Sequence, residues 1–272
     1  MLPILDDPRF FDQYAYKITG STTRALVHIT CKVSLLPESN EFVLCILVDF
    51  SKAFDTVDHS QLIGKLRQFN LPVCVLEWIV CFLTDRSQCT KLGSVLSACQ
   101  PINRSIVQGS GIGPSLFSVY TYDLKAAGKY NSLIKFADDC TLLVPGDTDV
   151  SAEDELSNIL AWSGVNKLAL NLLKSKAIVF YRTHPPKYCL PPPLLGIECV
   201  SSVKLLGVHL TESLSMDEHL RQTIFVCNKR HMLCQLKRQG LPLNCLDLAF
   251  HSPIMSKLLY ASPSWSGCLN AE

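Results

Sequence analysis

The chain has 272 residues, 48% of them hydrophobic and 18% charged, with a formal net charge of +1. That length can bury one large core, or one domain plus an appendage, while the near-neutral charge weighs against a stand-alone nucleic-acid binder, which is usually more basic. No apolar run is long enough for a membrane span, the N-terminus MLPILDDPRFFD carries acids without a basic lead, and the 13 cysteines include no CxxC pair. These features argue against a membrane protein, a secretory signal, a disulfide framework and a zinc site, and for an intracellular, reducing setting in nucleus or cytoplasm.

The first strong element is FVLCILV, an unbroken apolar run that predicts a buried strand from Phe42 to Asp49. A helical pattern follows from His59 to Asn70 and another spans Val73 to Leu83. A third helix opens near Pro114, where proline suits a first turn. Just before it, VQGSGIGP supplies Gly109, Gly111 and Gly113, permissive backbone that lets a chain approach a nucleotide or base pair closely. It is not a Walker loop, because no GK[ST] follows. LIKFADDCTLLV then reads as a hairpin with Asp138 and Asp139 at its tip. Ser151 to Leu170 predicts an amphipathic helix, capped by Ser151 and acidic in its first turn, and KAIVFY predicts a strand. The five prolines of THPPKYCLPPPLLG mark the clearest break, dividing the chain into residues 1–182 and 183–272. Beyond it VKLLGVHL reads as one strand, followed by helices at about Asp217 to Lys237 and Leu243 to Tyr260. The fold class expected is α+β, a sheet backed by helices.

Asp49 ends one buried strand and Asp138 opens the next hairpin. If those strands pair, three carboxylates meet at one sheet edge, where they repel each other and lose hydration. Such a set suits Mg²⁺, which takes hard oxygen ligands and is commonly shared between a few carboxylates and substrate phosphates. Two ions held so can activate a hydroxyl and stabilise a departing pyrophosphate. A lone Asp-Asp pair is more often a solvated turn, and a glycine-rich loop by itself says little; the order of the three features is what carries weight.

That order, a strand ending in Asp-x4-Phe, then QG-x3-GP opening a helix, then FADD in a hairpin, resembles the palm of reverse transcriptases, and in particular those of non-LTR (LINE-type) retrotransposons. QYAYKITGSTTRAL at Gln13–Leu26, DFSKAFDTVDHSQLIGKL at Asp49–Leu66, WIVCFLTDRSQ at Trp78–Gln88, WSGVNKLALNLLKSKAIVF at Trp162–Phe180 and VKLLGVHL at Val203–Leu210 extend the match over about Gln13 to Trp265. The resemblance implies a right-hand polymerase palm, mainly an antiparallel sheet backed by helices, with partial fingers and a helical, thumb-like C-terminal part. It implies an RNA-directed DNA polymerase that adds deoxynucleotides to a primer on an RNA template, using two Mg²⁺ ions or Mn²⁺. By it, Asp49, Asp138 and Asp139 are the metal-binding acids and Phe54 is the aromatic under the incoming sugar, a position that composition alone would assign to the core. Gln108 and Gly109 contact the template base and the incoming deoxynucleoside triphosphate, and Lys174 protonates the leaving pyrophosphate. Leu206 and Gly207 grip the primer end. Arg221, Lys229, Arg230, Lys237 and Arg238 lie along the duplex, although such a basic helix face is otherwise ordinary solvated surface.

The sequence also departs from the family. Val107 stands where proline usually precedes the QG pair, and Thr19 and Gly20 stand where a glycine and a basic residue usually precede the ST. Loss of that base predicts weaker triphosphate binding. Twelve residues precede Gln13 where the family carries more of its fingers, so an N-terminally truncated domain is expected. The alternative is an inactive copy acting at most as a nucleic-acid-binding module.

Overall fold

The computed structural model describes residues 3–38, 40–181, 191–228 and 230–268. After two short turns the chain forms helix α1 (Thr22–Leu35), strand β1 (Phe42–Val48), and helices α2 (Ala53–Thr56), α3 (His59–Leu66) and α4 (Val73–Leu83). An exposed arm of short strands follows, β2 (Arg86–Gln88), β3 (Lys91–Leu92), β4 (Val95–Leu96) and β5 (Gln100–Ile102), in which β2 pairs with β5 and β3 with β4. Helix α5 (Gly113–Tyr120), the hairpin β6 (Ser132–Phe136) and β7 (Asp139–Pro145), helix α6 (Ala152–Val165) and strand β8 (Lys176–Tyr181) complete the central part. Then come β9 (Glu198–Cys199), β10 (Ser202–Leu205), β11 (Val208–Thr211), and helices α7 (Asp217–Cys227), α8 (Arg230–Arg238), α9 (Leu243–Phe250), α10 (Ser256–Leu259) and α11 (Ser262–Trp265).

The main sheet has the order β6–β7–β1–β8–β9, with β1 antiparallel to both β7 and β8. A central strand covered on both faces needs no polar alternation, which is why FVLCILV is apolar throughout. Leu44, Ile46 and Val48, with Leu142, Val144 and Val179, bury one face against Leu62, Leu66, Leu116, Phe117, Leu156 and Ile159 of α3, α5 and α6. Val43 and Cys45, with Leu143, Ile178 and Phe180, bury the other against Ala25, Leu26, Ile29 and Val33 of α1. Each large aliphatic so buried contributes roughly 1.5–3 kcal/mol of hydrophobic free energy.

That second face is also covered by Leu205, Val208, Leu210 and Trp265, so the segment after the proline-rich break shares a core with the palm-like sheet. Residues 182–190 of that break lie outside the described residues.

Four expectations are corrected. VKLLGVHL is a hairpin, because Leu206 and Gly207 both take left-handed conformations (φ 43° and 88°) and reverse the chain between β10 and β11. The helix expected over Asp217–Lys237 is two helices; Asn228 leaves helical geometry at ψ 66°. The one expected over Leu243–Tyr260 widens into a π turn at His251–Met255, where Pro253 cannot donate to the helical ladder. The helix expected over His59–Asn70 is also shorter than its pattern, ending at Leu66. Among the described residues no helix is long and apolar enough to cross a membrane.

Candidate active site

The antiparallel register of β1 with β7 ends with Val48 opposite Cys140, so one step further Asp49 is carried toward Asp139. Phe136 pairs with Asp139 across the β6–β7 hairpin, leaving Ala137 and Asp138 as its two-residue loop. Asp49, Asp138 and Asp139 therefore share one end of the sheet. Their proximity is visible electrostatically: burial first, then the charges of Asp138 and Asp49, hold the Asp139 carboxyl above the usual carboxylate range. Its side chain keeps access to solvent, which partly screens that repulsion.

The backbone of Asp49 is fixed from the other side. Its N–H donates to Ser175 Oγ (3.1 Å), and its carbonyl accepts from Asn171 N–H (2.8 Å). The turn that makes both contacts carries Lys174, whose exposed side chain leaves from next to this anchor. The structure thus brings Asp49, Asp138, Asp139 and Lys174 to one sheet edge.

Phe54 lies on α2, half-buried, stacked on Phe117 of α5 with ring centroids 4.3 Å apart. Its carbonyl accepts from Ile106 N–H (2.9 Å), and Gln108 Nε2 donates to Asp55 Oδ1 (3.0 Å), so the helix bearing Phe54 and the glycine-rich loop are fastened together. Within that loop Ser110 Oγ donates to the Val107 carbonyl (2.7 Å) and accepts from Gly113 N–H (3.1 Å), closing a turn into α5. Gly109 is exposed with open space beyond its Cα. At the β10–β11 turn, Tyr260 OH donates to the Leu206 carbonyl (2.9 Å), and a Cβ on Gly207 would stand 3.1 Å from the Tyr260 ring.

Arg221 lines a polar groove with Thr211, Asp217 and Glu218, whereas Lys237 lines an open groove with Leu243 and Phe250. Lys229 and the side chain of Arg230 lie outside the described residues. Near the N-terminus, Gly20 packs so tightly on Tyr14 that a Cβ would fall 2.1 Å from its carbonyl oxygen, so the basic side chain usual at this position has no room in this loop.

Other residues of the site escaped the sequence reading. Gln13 reaches the hairpin of Asp138 and Asp139, and the phenol of Tyr16 is pushed up by burial and by the charge of Asp138. Lys135, in the strand leading to Asp138, is 1% exposed and paired with the also buried Asp12 at 3.2 Å. A lysine inside the apolar run LIKF was the available signal.

The donor set at the sheet edge is all hard oxygen, which fits Mg²⁺ or Mn²⁺ and not a soft or nitrogen-preferring metal. Among the described residues no three acidic, His or Cys side chains stand ready to enclose an ion. An ion held here must take the rest of its shell from water or phosphate.

The family model described as reverse transcriptase (RNA-dependent DNA polymerase) matches residues 9–210, which include every part of this site up to the β10–β11 hairpin. The chain belongs to the reverse transcriptase family. Among its curated relatives, the probable RNA-directed DNA polymerase from transposon BS of Drosophila melanogaster is 26% identical over 231 residues, covering 80% of this chain and 25% of that protein. The probable RNA-directed DNA polymerase from transposon X-element of the same species is 25% identical over 220 residues, covering 76% of this chain and 24% of that protein. The chain thus spans about a quarter of the length of the curated relatives it matches. In fold it is similar to telomerase from Candida tropicalis, solved with a fragment of telomeric RNA, with a TM-score of 0.58 and 11% identity over 96% of this chain and 44% of that one. The mixed sheet-and-helix architecture is that of a reverse transcriptase palm, as its motifs implied, and reverse transcriptases use divalent metal ions.

Proposed function

We propose that this reverse transcriptase domain is the catalytic part of a non-LTR retrotransposon polymerase, extending a DNA primer on an RNA template with deoxynucleoside triphosphates. The observation that carries the reading is the register of β1 with β7, which puts the strand-end Asp49 beside the hairpin acids Asp138 and Asp139. The relatives' names and the family add to it.

Asp49 and Asp138, with Asp139 beside them, are the residues proposed to hold two Mg²⁺ or Mn²⁺ ions. Bound there, such ions would supply the positive charge that activates the primer 3′-hydroxyl and stabilises the pyrophosphate as it leaves. The rest is positioning. Gln108 and Gly109 orient the template base and the incoming nucleotide, and the Phe54 ring, held from behind by Phe117, lies under the sugar and rejects a ribose 2′-hydroxyl. Lys174 donates a proton to the departing pyrophosphate. The Leu206–Gly207 turn, with its left-handed pair braced by Tyr260, supports the primer end. Residues 1–182 are assigned to partial fingers and palm, and residues 183–272 to primer grip and thumb. The reduced cysteines suit an intracellular setting.

Primer extension by the purified chain on poly(rA)/oligo(dT), with Mg²⁺ or Mn²⁺, tests this reading beside the Asp138→Asn variant. Extension that disappears in the variant supports it. A folded protein that extends nothing would reduce the chain to a nucleic-acid-binding module, and extension that survives in the variant would remove Asp138 from the site.

A further inference from the structure

The loop that carries Asp138 is held in a conformation its own sequence does not favour. Ala137, the first of the two loop residues, has φ 57°, the left-handed region that residues with a Cβ rarely adopt. In the mirror-image hairpin turns that position favours glycine. Here it is alanine, 5% exposed, and its backbone N–H is held by a contact from another segment.

That contact comes from Gln13. Its side chain is buried, at 2% exposure, and its Oε1 accepts two hydrogen bonds, from Ala137 N–H (3.1 Å) and from Ala15 N–H (2.9 Å). Two donors converging on one atom fix that atom as the carbonyl oxygen of the amide. The segment bearing Gln13 is itself bonded to the hairpin: Tyr14 N–H donates to the Lys135 carbonyl and Lys135 N–H to the Asp12 carbonyl, both at 2.8 Å. The buried Asp12–Lys135 ion pair ties the same two segments through their side chains. Gln13 is thus the end of a rigid bracket along the free edge of β6, and its oxygen meets the one loop amide next to Asp138.

We propose that Gln13 is a positioning residue for catalysis: its carboxamide pins the left-handed Ala137, and through it sets the carboxylate of Asp138 for metal binding. This rests on the metal-site reading of Asp138. The mechanism makes a specific demand. Glycine at position 137 adopts the same turn without restraint, so it should make the loop independent of Gln13.

The test is Mn²⁺ binding to the purified chain, read by electron paramagnetic resonance without nucleic acid or turnover. Asp138→Asn serves as the control, and melting curves confirm folding. Gln13→Met keeps the volume and removes the acceptor. It is expected to weaken Mn²⁺ binding by about tenfold or more, the usual loss when a partner that orients a metal ligand is removed, and adding Ala137→Gly should restore most of it. If Gln13 only stabilised the fold, Gln13→Met would lower the melting temperature and Ala137→Gly would recover no metal binding. If Asp138→Asn binds Mn²⁺ as wild type does, the metal-site reading fails and the proposal falls with it. If Asp138→Asn loses binding while Gln13→Met keeps it, the proposal alone is overturned. Should Gln13→Met not fold, amide exchange in the wild-type chain with ¹⁵N-labelled alanine decides. The Ala137 amide should exchange slowly despite its place in a turn, and exchange at the rate of an open loop refutes the bracket.

Discussion

Replacing Lys135 with methionine removes one positive charge from beneath the β6–β7 hairpin that carries Asp138 and Asp139. The Lys135 ammonium has three N–H donors and three acceptors, the carbonyls of Thr121 (2.8 Å) and Leu124 (3.0 Å) and Asp12 Oδ2 (3.2 Å). Methionine fills similar space but takes the donor from the Leu124 carbonyl, leaves the Thr121 carbonyl with only the longer bond from Leu124 N–H (3.3 Å), and removes one of the two cations on Asp12 Oδ2. Breaking a buried pair costs about 3–5 kcal/mol. Lys125 still holds Asp12 at 2.8 Å, so the low end applies, about 3 kcal/mol, or a fall in melting temperature of roughly 6–12 °C for a chain of this size. The pH dependence is a second check. Burial, only partly offset by Asp12, pushes the Lys135 ammonium down to about 8 from its ordinary 10.5. Between those values the unfolded chain binds the extra proton and the folded one does not, so this residue makes stability rise with pH. The rise is at most about 1.4 kcal/mol per pH unit. Buried tyrosines and cysteines titrate in the same window with the opposite sign, so the quantity to measure is wild type minus Lys135→Met in urea denaturation from pH 7 to 10.5. A variant as stable as wild type, or a difference that does not change with pH, would refute the buried-ammonium assignment.

Phe54→Val should let the domain incorporate ribonucleotides, measured as the ratio of ribo- to deoxynucleotide extension; an unchanged ratio would return Phe54 to a purely packing role against Phe117. Gly207→Ala should cost about 1–2 kcal/mol for the left-handed backbone, plus whatever shift the Tyr260 ring must make at 3.1 Å, and wild-type stability in denaturant would contradict the turn geometry. Because Asp139 is held above the usual carboxylate range, its proton competes with a metal ion at higher pH than an ordinary aspartate's would. Mn²⁺ affinity should therefore weaken on acidification, and Asp139→Asn should flatten that part of the profile.

Much of this protein was determined by local sequence. The unbroken run Phe42–Val48 reads as a buried strand, and its closing Asp49 as the point where the chain leaves the core. Ser151 followed by acids started α6 as expected, its hydroxyl accepting from Asp154 N–H (3.2 Å). The spacing of Asp49, the QG loop and the FADD hairpin was enough to expect one site, because each is a punctuation mark at the end of a regular element. What sequence periodicity could not supply were contacts between segments far apart in the chain. VKLLGVHL has the apolar pattern of a single strand, and only the φ values at Leu206 and Gly207, stabilised by Tyr260 more than fifty residues on, turn it into a hairpin. Gln13 looks like an ordinary polar residue until its amide oxygen is found 124 residues away in sequence, on Ala137. Asp12 looks like a surface charge, and Lys135 stands out only as a lysine inside LIKF, until the fold buries both as a pair. Side-chain pairing across the chain is paid for by tertiary packing, and so it is decided there, after the local code has already set the strands, the caps and the acids.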